Sequence, residues 1–209
     1  MQAFVIYLEE IAETKDSALK AVETCNNHGL TPNLFAGFTP ERADDFLLEN
    51  NIVAFSPGPK IFDIKNSKGG VRGCFVSHYH VWKKAVELNE TIVVMEHDAR
   101  ITREIPDIDI ESVLHLDAWR FDFEPEEVEN EIEEYYEVKK GYHTMKGAYA
   151  YMITPEAAAK LIQSTHNTGY CAADIHIRKE NGIKIERIHP RCAIVSDTKS
   201  LTSDRNFYM

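Results

Sequence analysis

Short apolar runs alternate along the chain with segments in which apolar residues recur every three or four positions. The runs are rich in β-branched and aromatic residues, which predicts strands. Strands are predicted at residues 3–8, 33–36, 91–95, 112–116, 148–153 and 183–188. Strands that alternate with amphipathic helices are typical of an α/β fold, here a single mixed sheet flanked by helices.

The helical segments carry start and stop signals of their own. Helices are predicted over residues 16–28, from Pro40, over residues 73–88 and over residues 154–164. In the last of these, Thr154 is suited to cap the helix and Pro155 to its first turn. The Gly-, Pro- and Lys-rich stretch 56–73 predicts a long loop. The acidic run 124–137 predicts a solvated helix or a mobile loop, because like charges in a block repel.

Composition limits the class of protein. The chain has 209 residues, of which 44% are hydrophobic, which fits one domain spanning residues 1–209. The net charge of −11 argues against strong nonspecific binding to nucleic acid or to an anionic membrane. The sequence has no apolar run of membrane-spanning length and no leader-like N-terminus, so we expect a cytoplasmic protein. Its four cysteines lack CxxC spacing, so we expect reduced, mostly structural thiols.

The most informative polar residues follow the predicted strand 91–95. Glu96, His97 and Asp98 come directly after this apolar run, at the strand edge where ligands bind in α/β sheets. Alternate residues of an extended segment point the same way, so Glu96 and Asp98 are expected to share a side. Oxygen ligands of this kind suit a hard divalent cation that carries phosphate. His97 either points away or adds a nitrogen ligand. The alternative to a metal site is that the triplet is simply a strand end with surface charge.

A second group of polar residues surrounds the start of the predicted helix 73–88. Ser77 and His78 follow the glycine-rich stretch 69–73, where a backbone that approaches a ligand could bind an anion. Arg72 could contact a phosphate or a carboxylate with its planar guanidinium. Neither a Walker loop nor a dinucleotide GxGxxG motif is present.

Asp174 lies between small and apolar residues in the sequence YCAADIHI. Such surroundings are unusual for a solvated carboxylate, which makes Asp174 a candidate general base. A helix N-cap is the alternative role. The sequence contains neither a GxSxG serine nucleophile motif nor HExxH.

Taken in order, these blocks resemble glycosyltransferase family 25, which includes bacterial lipooligosaccharide and collagen hydroxylysine galactosyltransferases. The resemblance lies in RGC, in SHxxxW with Ser77, His78 and Trp82, and in the acidic triplet after a strand. It continues in KGAYAYMITPEAAAKLI, which contains Gly147 and Tyr151, and it covers residues 69–100 and 145–200. The short length and the EHD triplet are similar to viral and phage-encoded members.

The resemblance implies a GT-A-like nucleotide-sugar-binding fold and sugar transfer from a nucleotide-sugar donor, UDP-linked by default. The acceptor it implies is a hydroxyl of a glycan, of a protein or of a modified nucleobase. Mn²⁺ or Mg²⁺ would be held by Glu96, Asp98 and His97, and Asp174 would be the catalytic base. Donor-side contacts are implied for Arg72, Ser77, His78 and Gly147.

The family triplet is usually Glu-Asp-Asp, whereas His97 occupies the middle position here. If the middle residue binds the metal, preference should shift toward metals that accept imidazole. Two other functions stay open at this point. One is a non-catalytic relative that binds a nucleotide or a partner, and the other is a nucleotidyl- or phosphoryl-transfer enzyme on a similar sheet.

Overall fold

The computed structural model describes residues 1–55, 69–117, 137–145 and 147–196. The strands of this part are β1 (Gln2–Tyr7), β2 (Thr31–Ala36), β3 (Ile92–Glu96), β4 (Ala99–Ile101), β5 (Val113–His115), β6 (Glu137–Lys140), β7 (Ala150–Ile153), β8 (Ile185–His189) and β9 (Ala193–Val195). The helices are α1 (Ala12–Asn27), α2 (Pro40–Glu49), α3 (Gly69–Leu88), α4 (Pro155–Thr168) and the single turn α5 (Ala173–His176).

Seven strands form one mixed sheet in the order β2-β1-β3-β7-β5-β8-β6, and β4 pairs with β9 in a separate antiparallel ladder. The strands β2, β1 and β3 are parallel, so their carboxyl ends meet at one edge of the sheet. Strand β7 runs antiparallel to both β3 and β5, and it places Tyr151 opposite Val94. The edge formed by β1, β2 and β3 is therefore the place where ligands bind in open α/β sheets.

Alternation of side chains along the strands builds two cores, one on each face of the sheet. In β1, Phe4 and Ile6 join the core formed with α2, α3 and α4, while Ala3 and Val5 join the core formed with α1. This period of two is the geometry of a strand that is buried on both faces. The sheet with helices on both sides confirms the predicted α/β class and the mixed sheet.

Helix α3 connects the first core to the sheet edge that holds the acidic triplet. Its buried side chains include Phe75, Val76 and Trp82, and Trp82 is fully buried, as expected for a core residue. At its first turns the helix packs against the segment that follows β2. A Cβ atom on Gly73 would lie only 2.4 Å from the backbone oxygen of Phe38. Gly73 therefore permits a close approach of helix and backbone that no side chain would allow.

Most predicted elements are present, with boundaries that differ by a few residues. Thr154 caps α4 by accepting a hydrogen bond from the Ala157 N–H at 3.2 Å, and Pro155 opens the helix, as predicted. The loop predicted over residues 56–73 is wrong at its end, because α3 already begins at Gly69. Its remainder, and the acidic run up to residue 136, lie outside the described residues.

All four cysteines are free thiols, which agrees with the predicted reduced state. Among the helices that the structure describes, none is both long enough and apolar enough to cross a membrane.

Substitution of Gly73 by alanine tests the contact between α3 and Phe38. Alanine in a helix interior normally adds about 0.5–1 kcal/mol of stability over glycine. Here the added methyl group should instead destabilise the fold by about 1–3 kcal/mol, because it overlaps a backbone oxygen. Denaturant unfolding measures the difference. Lys83→Ala, at an exposed position of the same helix, is the control and should change stability by less than about 0.5 kcal/mol. A stabilised Gly73→Ala variant would contradict the packing.

Candidate functional site

A cleft opens at the carboxyl ends of β1, β2 and β3, with an empty volume of about 560 Å³. One wall is formed by the first three turns of α3, and the floor by the end of β3 and the turn that follows it. The lining residues are Ile6, Tyr7, Leu8, Phe38, Pro40, Gly70, Gly73, Cys74, Ser77, His78, Glu96, His97 and Asp98. All three members of the predicted triplet thus line one cleft, together with Ser77 and His78.

Glu96 is held by a chain of hydrogen bonds that starts in the core. Trp82 Nε1–H donates to Tyr151 Oη at 2.8 Å, and an indole N–H can only donate. The Tyr151 hydroxyl hydrogen is then available for His78 Nδ1, at 2.9 Å. This order assigns the ring hydrogen of a neutral His78 to Nε2, which donates to Glu96 Oε1 at 3.3 Å. The chain fixes the rotamer of Glu96 and supports its charged form.

The electrostatic balance at Glu96 follows from these contacts. Burial on its own would raise the pKa of Glu96, but the hydrogen bond from the His78 ring, together with the one from the Cys74 thiol, lowers it below its ordinary value. The Cys74 thiol also approaches Glu96 Oε1, with Sγ at 3.6 Å from the oxygen. A single carboxylate oxygen therefore accepts from both a thiol and an imidazole, which keeps Glu96 ionised at the end of a core strand.

His97 and Asp98 do not continue the strand, because β3 ends at Glu96 and these two residues form a turn. The expectation that the triplet is extended is therefore wrong, although all its side chains line the cleft. The turn is pinned through the His97 carbonyl, which accepts from Ser17 Oγ at 2.9 Å and from Arg100 Nη1 at 2.8 Å. Burial lowers the pKa of His97, which keeps its imidazole neutral.

Asp98 is the least satisfied carboxylate of the cleft. It is 3% exposed, and within the described part of the chain its Oδ1 atom has no hydrogen-bond partner. Burial, reinforced by the charge of Glu96, raises the pKa of Asp98 to about 7. Burial of a carboxylate oxygen without a hydrogen-bond donor lowers the stability of the fold, and a bound cation would remove this penalty. Among the described residues, the group of three whose potential ligand atoms lie within 4.8 Å of one another is Cys74, His78 and Glu96, so a cation at Glu96, His97 and Asp98 stays a prediction.

The structure places Ser77 and Arg72 differently from the positions that the sequence predicts. The pair Ser77-His78 lies two turns inside α3 and not at a helix start, since the helix begins at Gly69. The Ser77 hydroxyl accepts from Phe38 N–H at 2.8 Å and donates to the Gly73 carbonyl at 2.6 Å, so it secures the loop after β2.

Arg72 forms a two-point ion pair with Asp44 of α2, with Nη2 and Oδ2 2.8 Å apart. Arg72 is not among the described residues that line the cleft.

Asp174 lies in the first turn of α5 and is not among the described residues that line the cleft. Its Oδ2 accepts the Gly147 N–H at 3.3 Å, and the Gly147 carbonyl is in turn 2.6 Å from His115 Nε2. Burial raises the pKa of Asp174, and the charge of Glu96 adds to this effect. The backbone of Gly147, which has a φ of +79°, therefore holds the Asp174 carboxylate in place.

Two members of the polar network were not identified as site residues in the sequence. Cys74 was counted with the structural thiols, although its spacing of four residues from His78 on a helix places both side chains on one face. Tyr151 was read only as part of a family block. Its contact with His78 depends on the antiparallel pairing of β3 and β7, which no local pattern reveals.

The sequence model of glycosyltransferase family 25, described as an LPS biosynthesis protein family, matches residues 1–177. The chain belongs to glycosyltransferase family 25. The matched region contains the whole cleft and Asp174, so the cleft residues can be discussed as those of a family 25 member.

Two further similarities were found. A "Glycosyltransferase 25 family member" from Aedes aegypti is 29% identical over 97 residues, which is 46% of this chain. The match spans only 16% of the length of that mosquito protein. A crystal structure of a Drosophila β-1,4-galactosyltransferase 7 mutant with manganese, UDP-Gal and xylobiose aligns with 100% of this chain and 79% of its own. Its TM-score is 0.44 and its identity 7%, values too low to bear on function.

The raised pKa of Asp98 predicts how the stability of this family 25 protein depends on pH. Because the folded-state pKa of about 7 exceeds the ordinary aspartate value of 3.8, the folded state binds this proton more tightly. The stabilisation is complete near pH 4 and is lost as the pH rises through about 7. In chelator, the melting temperature should therefore fall between pH 6 and 8.

Asp98→Asn should flatten this decline, since the amide cannot ionise. A change of about 1 kcal/mol moves the melting temperature by about 2–4 °C in a chain of this size, so differential scanning fluorimetry resolves it. Asp16→Asn, at an exposed position of α1, is the matched control and should keep the wild-type slope. An unchanged slope in Asp98→Asn would contradict the assignment of this proton to Asp98.

Proposed function

We propose that this chain is a metal-dependent glycosyltransferase with a GT-A-like fold. It moves a sugar, by default galactose or glucose, from a nucleotide-sugar donor to a hydroxyl acceptor. The observation that carries the proposal is the grouping of Glu96, His97 and Asp98 in one cleft at the carboxyl ends of parallel strands, in a chain that belongs to family 25.

The cation proposed for this site is Mn²⁺, or Mg²⁺ in its place. Glu96 and Asp98 would hold it through carboxylate oxygens, and the neutral imidazole of His97 would add a nitrogen ligand. When bound, the cation would supply positive charge to offset the charge of a leaving diphosphate. The unpartnered and buried Oδ1 of Asp98 supports this placement, because a cation gives that atom the partner it lacks among the described residues.

The lining of the cleft suits a nucleotide-sugar, because it combines apolar side chains with a few carboxylates. This lining combines the apolar groups of Tyr7, Leu8 and Phe38 with the carboxylates of Glu96 and Asp98. UDP is the default nucleotide. A glycan or protein hydroxyl suits the net charge of −11 better than a modified nucleobase in duplex DNA does.

Asp174 is proposed as the general base that takes the proton from the acceptor hydroxyl in a single inverting displacement. The hydrogen bond from Gly147 N–H holds its carboxylate in place, and burial raises its pKa toward the range in which a base works at neutral pH. The charge of Glu96 contributes to the raised pKa of Asp174, which supports a place for Asp174 on the Glu96 side of the cleft.

The test is to incubate the protein with a panel of nucleotide-sugars, with and without Mn²⁺, and to identify the product that contains the nucleotide. Release of a nucleoside diphosphate that depends on the cation supports the transferase. Release of pyrophosphate or inorganic phosphate would instead indicate nucleotidyl or phosphoryl transfer. Binding of the nucleotide-sugar without any turnover would indicate a non-catalytic relative.

Asp98→Ala should abolish cation-dependent turnover of the donor while the protein stays folded. Mutation of a residue that only hydrogen-bonds a metal ligand already lowers metal affinity or activity by about 10–100-fold. Loss of a ligand itself should therefore lower turnover by at least about 100-fold. Steady-state release of nucleoside diphosphate measures this, with circular dichroism as the check on folding. Asp16→Ala is the control at an exposed position. Unchanged turnover in Asp98→Ala would refute its role as a ligand.

Asp174→Asn should lower transfer to the acceptor by about 10²–10⁴-fold, the usual contribution of a general base. The amide oxygen can still accept the Gly147 hydrogen bond, so donor binding should be preserved. Comparing donor affinity with the rate of transfer separates the two effects, and Asp45→Asn on the exposed side of α2 is the matched control. Loss of donor binding in Asp174→Asn would move this residue to the donor site.

A further inference from the structure

Cys74, His78 and Glu96 bring a sulfur, a nitrogen and an oxygen donor together in the wall of the cleft. One potential ligand atom from each residue lies within 4.8 Å of the others. Cys74 and His78 are separated by one turn on the same face of α3, and Glu96 reaches them from the end of β3. Two rigid elements of the core therefore hold the three donors.

Two of the three separations between these donor atoms match the edges of a tetrahedral zinc site, and the third is within 4.8 Å. With Zn–S near 2.3 Å and Zn–N or Zn–O near about 2.1 Å, tetrahedral angles place sulfur about 3.6 Å from oxygen and nitrogen about 3.4 Å from oxygen. The distance from Cys74 Sγ to Glu96 Oε1 is 3.6 Å, and that from His78 Nε2 to the same oxygen is 3.3 Å. Little rearrangement is needed for these atoms to share one ion.

We propose that Cys74, His78 and Glu96 form a three-ligand site for Zn²⁺ or a cation of similar softness, with the fourth position open to the cleft. Thiolate and imidazole ligands favour Zn²⁺ or Co²⁺ over Mn²⁺ and Mg²⁺. The site is thus different in chemistry from the pair of carboxylates at Glu96 and Asp98, although Glu96 belongs to both. Three protein ligands with one open position is the arrangement found in zinc sites that bind a further molecule.

The protons in the network can be accounted for. On coordination Cys74 binds as the thiolate, and its proton leaves to solvent. His78 binds through Nε2, so its ring hydrogen moves to Nδ1, where the Tyr151 hydroxyl oxygen accepts it, and the hydroxyl hydrogen that had pointed at Nδ1 rotates away from the ring. Tyr151 thereby becomes the outer partner that orients the imidazole, and the Trp82 N–H fixes Tyr151 in turn. One proton is released for each ion that binds.

Because Glu96 is shared, Zn²⁺ and Mn²⁺ cannot both take this carboxylate in their full ligand sets. Zn²⁺ should therefore inhibit Mn²⁺-dependent sugar transfer in competition with Mn²⁺. Only this consequence rests on the proposed function. Binding of Zn²⁺ itself is a property of the three side chains, and it can be measured without any donor or acceptor.

The test uses Co²⁺ as a spectroscopic replacement for Zn²⁺ in the 209-residue chain, without nucleotide. Wild-type protein should develop a near-ultraviolet charge-transfer band from thiolate to cobalt, and added Zn²⁺ should bleach it. Cys74→Ser should lose the band and bind Zn²⁺ at least about 100-fold more weakly, whereas Tyr151→Phe should weaken binding by about 10–100-fold. Cys25→Ser, a buried thiol on the opposite face of the sheet, should keep the band.

Absence of the band in wild-type protein at saturating Co²⁺ would overturn the proposal, and this outcome does not depend on whether any variant folds. A band that persists in Cys74→Ser would also overturn it, because another thiol would then bind the ion. Neither result bears on nucleotide-sugar turnover with Mn²⁺, so the proposed function and the zinc site can fail separately.

Discussion

The structure depends on keeping a charged carboxylate at the end of a strand whose other side chains are all buried. Ile92 to Met95 are fully buried, and Glu96 follows them directly. Desolvation of such a group costs several kcal/mol unless donors compensate it. The compensation comes from His78, oriented by Tyr151, which is itself fixed by Trp82. A core tryptophan, a strand tyrosine and a helix histidine thus determine where one carboxylate oxygen lies.

The charge that is kept on Glu96 also repels the negative charge of neighbouring acids. Its charge contributes to the raised pKa values of both Asp98 and Asp174. Three acids this close cannot all remain ionised cheaply in a partly buried cleft. A cation relieves the repulsion, and the absence of any hydrogen-bond partner for Asp98 Oδ1 in the described part of the chain identifies where relief is most needed. The proposed cation would therefore also restore the balance of charge among these acids.

Sequence reasoning predicted the α/β class, most strands and the acidic triplet, because these follow from local periodicity and from polar residues that end an apolar run. It misplaced the start of α3, since Gly69 and Gly70 look like loop residues although they lie in a helix. It predicted a donor-side role for Ser77, which lines the cleft, but it did not show that the hydroxyl already bonds Phe38 N–H and the Gly73 carbonyl. The role of Tyr151 required the pairing of β3 with β7, and that of Asp44 required the packing of α2 on α3. Such contacts are tertiary and leave no local signal.

The central claim is that the cleft binds a nucleotide through a cation held by the triplet. A thermal-shift matrix of nucleoside diphosphates and nucleotide-sugars, each with and without Mn²⁺, tests it most directly, because ligands that bind the folded state raise the melting temperature by mass action. We expect one nucleotide to raise the melting temperature only when Mn²⁺ is present, and Asp98→Asn to lose the shift. If no nucleotide raises the melting temperature with Mn²⁺, or if the shift persists unchanged in Asp98→Asn, the account is contradicted.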